Sequence, residues 1–470
     1  PASRRLPALS TAAAHSAPPS TRPARPRRLV PLPMESPGGA PVVTCTPLEQ
    51  RVFDTLLEVA REDGSGLTLR VAGGWVRDKL LGRDSADIDV ALDTMLGREF
   101  AERVNAHLER MGEETHRVGV IQSNPEQSKH LETATMRVHG VWLDLVNLRS
   151  ETYTEQSRIP SMSFGTPQTD AERRDLTINS LFYNVNTRAV EDFTGRGVAD
   201  LRAGVVRTPL APRETFLDDP LRVLRAVRFA SRLGFALDSA LAEAAGDAGV
   251  QAALRTKVSR ERVGAELDGM LRGPDPAGAM EHLARLSLYD TVFAPDGLQP
   301  GPAAPWACLH ALRLASGVLE GAGLGGMLGE EERRVALLAA WLLPLRHRTV
   351  RRGKPGREKE VPAAEAVVRE QLKARAKDAE AVAVMHAAAA ELRGALPEAG
   401  GAAVAHCCTT SRAALARPLK ASKGLWPGAL ALAAVLAHPR TAVLEGGDGA
   451  ERLRALEEEA AGCGARRAGA

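Results

Sequence analysis

Two aspartates separated by one residue, Asp87 and Asp89, are the first candidates for chemistry in this sequence. On a β-strand the side chains at i and i+2 point to the same face, so the two carboxylates would lie side by side. Like charges held together are unfavourable unless a cation lies between them. Oxygen ligands of this kind suit Mg²⁺. The pair alone is a weak signal, because a solvated strand edge has the same pattern.

A glycine pair precedes the aspartates in the sequence VAGGWVRD. We predict a strand over 67–72, a short helix over 75–81 and a second strand over 88–91, so Gly73 and Gly74 fall at a strand-to-helix turn. Glycine there lets backbone N–H groups approach a triphosphate, and a helix N-terminus favours an anion. Most glycine pairs are only turns, but this pair, followed by the acidic pair at this spacing, is far more specific.

A second polar motif, RRDLTIN, covers residues 173–179. Aspartate can accept a hydrogen bond from a ribose hydroxyl, asparagine can donate and accept, and arginine makes forked contacts with phosphate. Helical spacing would place Asp175 and Asn179 on one face, with Ile178 and Leu181 turned toward the core. The alternative is a charged first helical turn in which Asp175 only favours the helix dipole.

The third motif, DDPLRVLRAVRF, begins at Asp218. An aspartate can accept from the exocyclic amine of a base, and an arginine can donate to ring nitrogens and carbonyls. Cytosine and adenine present an amine beside an acceptor on the pairing edge, whereas uracil and guanine present a carbonyl there. The alternative is structural: Asp219 and Pro220 also suit the start of a helix. Arginines at every third position could then be a solvated or RNA-facing stripe.

Together these motifs resemble the head of polymerase β-like nucleotidyltransferases, specifically the family of class II CCA tRNA nucleotidyltransferases and bacterial poly(A) polymerases, in its eukaryotic branch. The resemblance runs from about residue 67 to 272 and is looser beyond. A third acidic position of the family matches Asp144, which alone could be an inward polar residue of an apolar strand. Two departures are small: Ser180 replaces the usual Ala, and Asp218 the usual Glu.

The resemblance implies a role for each motif. The catalytic residues would be Asp87, Asp89 and Asp144, with Asp87 and Asp89 as metal ligands for Mg²⁺. Asp219 and Arg222 would act as an amino-acid template for the incoming base. The full set of expected nucleotide-binding residues is Gly73, Gly74, Arg77, Asp78, Arg173, Arg174, Asp175, Asn179, Asp219, Arg222, Arg225 and Arg228.

The implied reaction is template-independent addition of C, C and A to the 3′ end of tRNA from CTP and ATP. The RNA 3′-hydroxyl would attack the α-phosphate in line, pyrophosphate would leave, and two Mg²⁺ ions would stabilise the attacking and leaving oxygens. Three alternatives stay open. The chain could be a poly(A) polymerase or a partial CC- or A-adding enzyme, a transferase for a small acceptor, or a catalytically inactive RNA-binding protein.

Three further stretches resemble parts of the same family. Gly195 and Gly197, within residues 191–201, match a hinge between head and neck, although a plain loop has the same composition. Residues 124–136 match a flexible loop linked to the switch from C to A. Residues 257–267 match the last neck motif, whose charges we expect to brace the neck helices rather than contact substrate.

Composition limits the remaining possibilities. The 61 Lys and Arg against 58 Asp and Glu leave a net charge of +3, so a nucleic-acid partner would require a local basic groove. Aromatic residues make up 4%, which argues against a base-stacking surface. The five cysteines show no CxxC pair or zinc spacing and are expected to be reduced thiols. No apolar run is long enough to cross a bilayer, so no membrane partner is expected.

Periodicity predicts an α+β region followed by an all-helical one, and the resemblance implies a polymerase β-like head with a small mixed sheet, followed by an all-helical neck, body and tail. A first helix is predicted over 47–62 and strands over 136–147, broken at Gly140. Helical patterns dominate from Pro220, including 361–394 and 402–437, and 351–360 is predicted as a basic loop. The expected division is a leader over 1–40, a catalytic head over 45–200, a base-reading neck over 201–275 and a tRNA-binding body and tail over 276–470.

The leader is distinct in composition, because residues 1–34 contain arginine, serine and proline but no acidic residue. This is typical of an organellar transit peptide, although a disordered proline-rich tail has the same features. We expect import into mitochondria or chloroplasts. Met34 could start a second form for the cytosol or nucleus.

Overall fold

The computed structural model describes residues 41–64, 66–121, 133–154, 157–354, 356–395 and 412–438. The predicted leader therefore lies outside the described residues, as do most of the predicted flexible loop and residues 402–411. Among the described helices, none is long and apolar enough to cross a membrane.

The first helix, α1 (Pro47–Asp63), agrees with the prediction at 47–62 and has both halves of a capping box. The Thr46 hydroxyl accepts from the Glu49 backbone N–H, and the Glu49 carboxylate accepts from the Thr46 backbone N–H. The apolar face of α1 is buried in the main core, where Phe53 contacts Trp75 edge to face. Burial of this face fixes α1 on the rest of the head.

The head contains nine strands and, after α1, four helices among its described residues. In chain order these are β1 (Leu69–Ala72), α2 (Gly74–Leu80), β2 (Ile88–Leu92), α3 (Gly97–Arg110), β3 (Gly119–Ile121), β4 (Thr133–Val138), β5 (Val141–Asn147), β6 (Arg149–Thr154), β7 (Ser157–Phe164), α4 (Pro167–Glu172), β8 (Phe182–Asn184), β9 (Ala189–Glu191) and α5 (Gly197–Ala203). The predicted strand–turn–helix–strand order over 67–91 is confirmed, and the predicted break at Gly140 is the turn between β4 and β5.

Seven of these strands form one mixed sheet in the order β3-β4-β5-β2-β1-β8-β9. Strands β2 and β5 run parallel, and the other described pairs of this sheet are antiparallel. Side chains alternate along β2, so Ile88, Val90 and Leu92 enter the main core while Asp89 points to the opposite face. The face that carries Asp89 holds only a small apolar cluster, which includes Ala91, so Asp89 stays outside the main core.

The neck follows as a set of short helices. Its elements are β10 (Val205–Val206), α6 (Pro212–Asp218), α7 (Leu221–Leu233), β11 (Ala236–Leu237), α8 (Ser239–Gly246), α9 (Ala248–Lys257), α10 (Arg260–Arg272) and α11 (Pro276–Arg285). Buried residues Leu221, Leu224 and Val227 recur at helical spacing along α7, which packs against α10 and α11. This packing sets the direction in which α7 presents its polar side chains.

The body is also helical, with one exception to the prediction. Its elements are α12 (Tyr289–Phe293), α13 (Ala304–Gly321), α14 (Glu330–Leu342), β12 (Thr349–Arg352), β13 (Lys359–Pro362), α15 (Ala363–Ala366), α16 (Ala376–Ala395), α17 (Arg412–Ala421) and α18 (Trp426–Ala437). Strands β12 and β13 pair as a hairpin where a loop was predicted at 351–360. The basic residues that suggested a loop are mostly exposed, while Val350 is buried and anchors the hairpin.

Candidate active site

Three carboxylates meet at the edge between β2 and β5. Asp87 immediately precedes β2, Asp89 lies within it, and Asp144 of β5 is the direct register partner of Asp89. One oxygen from each of the three side chains lies within 4.8 Å of the others. The hydroxyl of Thr135 donates to Asp144 Oδ1 at 2.6 Å and helps to orient this carboxylate. Asp144 is therefore part of the acidic cluster and not an isolated polar residue.

The electrostatics of the cluster fit a cation site. Burial, with the neighbouring Asp87 and Asp144 carboxylates, raises the pKa of Asp89 to about 6, although Arg174 and Arg149 act in the opposite direction. Proximity of like charges makes the ionised trio unfavourable without a counter-charge. A divalent cation bound by these hard oxygen ligands would relieve that repulsion.

The glycine turn lies beside the cluster and is sterically constrained at its first position. Gly73 has a φ of 71°, and a Cβ there would lie 2.9 Å from Arg174 Nη1 and 3.3 Å from the Asn179 carbonyl oxygen. Gly74 has more room, since the nearest group to a Cβ would be Arg77 Nη2 at 3.7 Å. Gly73 is thus required both by its backbone conformation and by the close approach of the RRDLTIN motif.

Hydrogen bonds join the glycine-turn motif directly to the RRDLTIN motif. Arg77 is buried, donates to both carboxylate oxygens of Asp78 at 2.9 Å, and donates through Nη1 to Asn179 Oδ1. The Asn179 amide in turn donates to Asp175 Oδ1 at 3.1 Å. Two stretches a hundred residues apart in the sequence therefore form one polar wall.

The prediction of a helix over RRDLTIN is wrong, although the predicted contact within it forms. Residues 173–175 are in a turn and bends, and Thr177–Asn179 is a single 3₁₀ turn. Ile178 and Leu181 are fully buried, as predicted. The tight turn still brings Asn179 onto Asp175, because the 3₁₀ turn is preceded by extended backbone at Leu176.

A buried carboxylate that the sequence reasoning missed holds the two arginines of this motif. Asp170 of α4 accepts from Arg173 Nε at 2.9 Å through Oδ1 and from Arg174 Nε and Nη2 at 2.9 and 2.8 Å through Oδ2. Burial alone would raise the pKa of Asp170, but the two guanidinium groups hold it below its usual value. The signal available in the sequence was the i, i+3 and i, i+4 spacing from Asp170 to the arginines.

The proposed base-reading residues lie at the start of α7. The Asp219 carboxylate accepts from the Leu221 backbone N–H at 3.3 Å through Oδ1 and from Arg262 Nη2 at 3.0 Å through Oδ2. Arg222 is buried and donates through Nη2 to the Arg173 carbonyl oxygen at 2.7 Å. The capping alternative is therefore correct in part, but it uses one oxygen of Asp219 and leaves the residue on the cavity wall.

The arginines that follow on α7 are not a solvated stripe. Arg225 donates to Asp175 Oδ2 at 2.6 Å, and Arg228 donates to Glu266 Oε2 at 2.6 Å. Their guanidinium carbons lie 5.7 and 4.6 Å from the centre of the Phe229 ring. Burial would raise the pKa of Asp175, but Arg225 and the Asn179 amide hold it low. A role for Phe229 was not predicted, although it follows Arg228 on α7 itself, whereas Glu266 belongs to the last neck motif, whose charges were expected to brace the neck helices.

A cavity of about 620 Å³ collects nearly all of these groups. The predicted residues that line it are Gly73, Gly74, Arg77, Asp78, Asp87, Asp89, Arg173, Arg174, Asp175, Asn179, Asp219, Arg222 and Arg225. Asp144 lines an adjoining cavity of about 310 Å³ that shares Asp89 and Arg149 with the first. Arg228 lies behind the wall, in contact with Glu266. Arg149, Phe229, Arg232 and Arg262 line the larger cavity without having been predicted to do so.

The two remaining predicted motifs have clear local structures. A Cβ on Gly197 would lie 2.7 Å from the Thr177 carbonyl oxygen, so this glycine permits a close approach to the 3₁₀ turn. Gly195 has a φ of 67° within a turn closed by Asp192, whose Oδ2 accepts from the Val198 N–H. In the last neck motif, Glu266 braces α7 as expected. Arg262, however, also lines the cavity.

The head is similar to a known family of domains. Residues 69–207 match the family model of the Poly A polymerase head domain. The chain therefore carries a poly(A) polymerase-type head, and its resemblance to the CCA tRNA nucleotidyltransferase and poly(A) polymerase family is confirmed.

Curated relatives agree with this family. The chain is 48% identical over 265 residues to the mitochondrial CCA tRNA nucleotidyltransferase of Saccharomyces cerevisiae, a match that covers 54% of this chain and 48% of the relative. It is 51% identical over 237 residues to the mitochondrial CCA tRNA nucleotidyltransferase of Candida glabrata, over 50% of this chain and 45% of the relative. The chain thus spans about half the length of the curated relatives it matches.

Solved structures share the fold over most of the chain. A CCA-adding enzyme in complex with ATP superimposes with a TM-score of 0.57 at 20% identity, over 85% of this chain and 80% of that one. A complex with CTP gives 0.56 at 20% identity, over 85% and 81%. The Thermotoga maritima CCA-adding enzyme complexed with tRNA gives 0.56 at 20% identity, over 88% and 82%. At these identities the likeness establishes the fold, which is the predicted α+β head with helical neck and body.

Proposed function

We propose that this chain is a template-independent tRNA nucleotidyltransferase that adds C, C and A to the tRNA 3′ end from CTP and ATP and releases pyrophosphate. The observation that carries the proposal is that two acidic-cluster residues, Asp87 and Asp89, line the same cavity as Asp219 and Arg222. Groups suited to a metal and groups suited to reading a base therefore lie within the reach of one nucleotide. The names of the relatives and the ATP, CTP and tRNA in related structures support the choice of substrates.

The proposed metal is Mg²⁺, held by Asp87 and Asp89 with Asp144 beside them. The fit rests on three carboxylate oxygens that lie within 4.8 Å of one another, because a cation between them would relieve their repulsion. When bound, Mg²⁺ supplies charge neutralisation for the triphosphate and polarises the attacking hydroxyl. The hydrogen bond from Thr135 keeps Asp144 turned toward this position.

The phosphate and ribose groups of the nucleotide would be held by the polar wall. Eight arginines and five aspartates line the cavity, so the lining carries a surplus of positive charge that suits a triphosphate. Asp170 fixes Arg173 and Arg174 in place before any nucleotide binds. Asn179, which is held between Arg77 and Asp175, would contact the ribose.

Base choice would depend on the pair at the start of α7. An ionised Asp219 only accepts hydrogen bonds, so it suits the amine of cytosine or adenine and opposes the carbonyl of uracil or guanine. Arg222 would donate to the neighbouring acceptor of the base. The carbonyl of Arg173 orients Arg222, which reduces the entropy lost when a base binds.

We further propose the division into a catalytic head over 45–200, a base-reading neck over 201–275 and a body and tail over 276–470 that binds tRNA. The change from sheet to helices near residue 200 supports the first boundary. Contacts of the body with tRNA phosphates should weaken steeply with salt. Gly195 and Gly197 would allow the head to reorient between additions.

The decisive experiment measures nucleotide incorporation into tRNA that lacks its CCA end. CTP alone should add two residues, CTP with ATP should add three, and ATP alone should add none. Extended A tails would instead indicate a poly(A) polymerase, and addition of only C, C or only A would indicate a partial enzyme. Binding of tRNA without any incorporation would favour the inactive RNA-binding alternative.

For localisation, we propose mitochondrial import directed by residues 1–40. Support comes from the acid-free, arginine-rich composition and from two relatives that are named as mitochondrial. A fluorescent reporter fused to residues 1–40 should enter mitochondria, and the chain started at Met34 should not. A chloroplast signal, or equal distribution of the two forms, would contradict the proposal.

A further inference from the structure

The template pair, Asp219 and Arg222, is oriented from two different directions. Arg222 is held by a backbone carbonyl, that of Arg173 in the head. Asp219 is held by the Leu221 N–H of its own helix and by one side chain from another helix, Arg262 of α10. Only the second of these contacts on Asp219 joins two oppositely charged groups, at 3.0 Å.

Arg262 has a guanidinium nitrogen without a hydrogen-bond partner among the described residues, and it lies where a base would bind. It lines the same cavity as Asp219 and Arg222. Its Nη2 donates to Asp219 Oδ2, whereas its Nη1 is buried from solvent and has no hydrogen-bond partner among the described residues. A buried guanidinium donor without a partner is costly unless something completes the site. Arg262 therefore has one terminal guanidinium nitrogen bonded to Asp219 and the other without a partner among the described residues.

We propose that Arg262 is a positioning residue for base selection, which orients the Asp219 carboxylate toward the incoming base. This inference rests on the proposed nucleotidyltransferase function and names a determinant of its base specificity. A carboxylate oxygen can accept from more than one donor, so Asp219 Oδ2 can keep Arg262 and still accept from a base amine. Without Arg262, Asp219 would be oriented by the weaker 3.3 Å contact to the Leu221 N–H alone, and its carboxylate could turn away.

The same helix provides a matched control. Arg272, at the other end of α10, is also an arginine paired with carboxylates, namely Asp268, Glu330 and Glu331. It lines a different cavity, which faces the body. Arg272→Ala therefore also removes an arginine side chain from α10, but it leaves the contacts of Asp219 unchanged.

The experiment measures single-nucleotide incorporation of all four triphosphates by wild type, Arg262→Ala, Arg262→Lys and Arg272→Ala. Arg262→Ala should lower the preference for CTP over UTP and for ATP over GTP by about ten-fold, the loss expected when one charge-assisted hydrogen bond no longer orients Asp219. Arg262→Lys should restore part of the preference, because it keeps one charged donor. Arg272→Ala should leave the ratios unchanged. Thermal unfolding of each variant separates loss of base choice from loss of fold, and if Arg262→Ala does not fold, Arg262→Lys carries the comparison.

A double mutant tests whether Arg262 acts through Asp219. On an Asp219→Asn background, Arg262→Ala should add little further loss of base preference. Full additivity would overturn the proposal, as would a selective wild type whose preference is unchanged in Arg262→Ala. Absence of any CMP or AMP incorporation by wild type would instead count against the proposed function and is thus distinguishable from failure of this inference.

Discussion

Two networks of arginines and carboxylates in this molecule have similar contacts but different roles. One lines the nucleotide cavity. The other, which we term the clasp, joins the neck to the body and consists of Asp268 and Arg272 of α10, Glu330, Glu331 and Arg334 of α14, and Arg375 and Asp378 at the start of α16. In the clasp, four carboxylates surround three arginines. In the cavity, arginines outnumber aspartates.

The difference in charge balance explains the difference in role. Arg334 of the clasp is almost fully buried, and its guanidinium contacts Asp268 at 3.2 Å and Asp378 at 2.8 Å. Each arginine of the clasp is paired with carboxylates of the same network, so no ligand is needed to balance its charge. The cavity instead combines excess guanidinium charge with a cluster of three carboxylates, to which Arg174 and Arg149 give only partial compensation, since the pKa of Asp89 stays raised. In a metal–triphosphate complex, the cation would balance the carboxylates and the phosphates would balance the arginines.

The largest expected effect is at the acidic cluster. Asp87→Ala or Asp89→Ala should reduce nucleotide incorporation by about 10²–10³-fold or more, because a metal ligand is lost where transition-state charge is stabilised. The melting temperature should not fall, since removing one of the apposed carboxylates relieves repulsion. Asp93→Asn is the control, because Asp93 follows the same strand but accepts from the Thr68 N–H away from the cavity. Normal turnover with Mg²⁺ in either alanine variant would contradict the metal assignment.

The clasp should respond in the opposite way. Arg334→Met should lower the free energy of unfolding by about 3 kcal/mol, because it leaves buried Asp378 with less compensation, while activity per folded molecule stays unchanged. Urea unfolding together with incorporation assays measures both quantities. Arg369→Met, which breaks an exposed pair with Glu365, should cost less than about 1 kcal/mol. A change of base preference in Arg334→Met would break the distinction between the two networks.

Measurements of base choice test the roles of Asp219 and Arg222 in the cavity. Arg222→Ala should raise UTP and GTP incorporation relative to CTP and ATP by about ten- to a hundred-fold, the worth of roughly 1.5–3 kcal/mol for a hydrogen bond from a charged group. Asp219→Asn would be nearly silent if Asp219 only capped α7, since asparagine caps about as well. If Asp219 reads the base, the same variant should accept UTP more readily, because its amide gains a donor for the uracil carbonyl. If the base preference is unchanged in both variants, Asp219 and Arg222 have only a structural role.

The smallest effect is a pH dependence in the body, next to the clasp. Burial lowers the pKa of His386 on α16 to about 4, and its Nε2 lies 2.8 Å from the Ala339 carbonyl oxygen of α14. The unfolded chain takes up this proton near pH 6.5 and the folded chain only near pH 4, so stability is lost as pH falls between these values. By pH 5 the loss should be about 2 kcal/mol. His386→Gln should flatten the dependence, and His116→Gln in the head should not. An unchanged slope in His386→Gln would exclude this histidine as its source.

Much of the head followed from local patterns in the sequence. The alternation of Ile88, Val90 and Leu92 with the aspartates predicts both the strand and the face on which the carboxylates lie, because side chains alternate along any strand. Apolar spacing predicts α1 almost to the residue. The motif at 173–179 predicts its contacts but not its backbone, since Asn179 also reaches Asp175 through extended backbone at Leu176 followed by a 3₁₀ turn.

What the tertiary structure alone decided are the partners that come from distant elements. Glu266 beside Arg228 and Arg262 on Asp219 follow from the packing of α10 on α7. The clasp depends in the same way on three helices that are far apart in the chain. Periodicity reports which face of an element is buried, but it carries no information on which other element covers that face. The pairing of charges across helices is therefore settled only when the core forms.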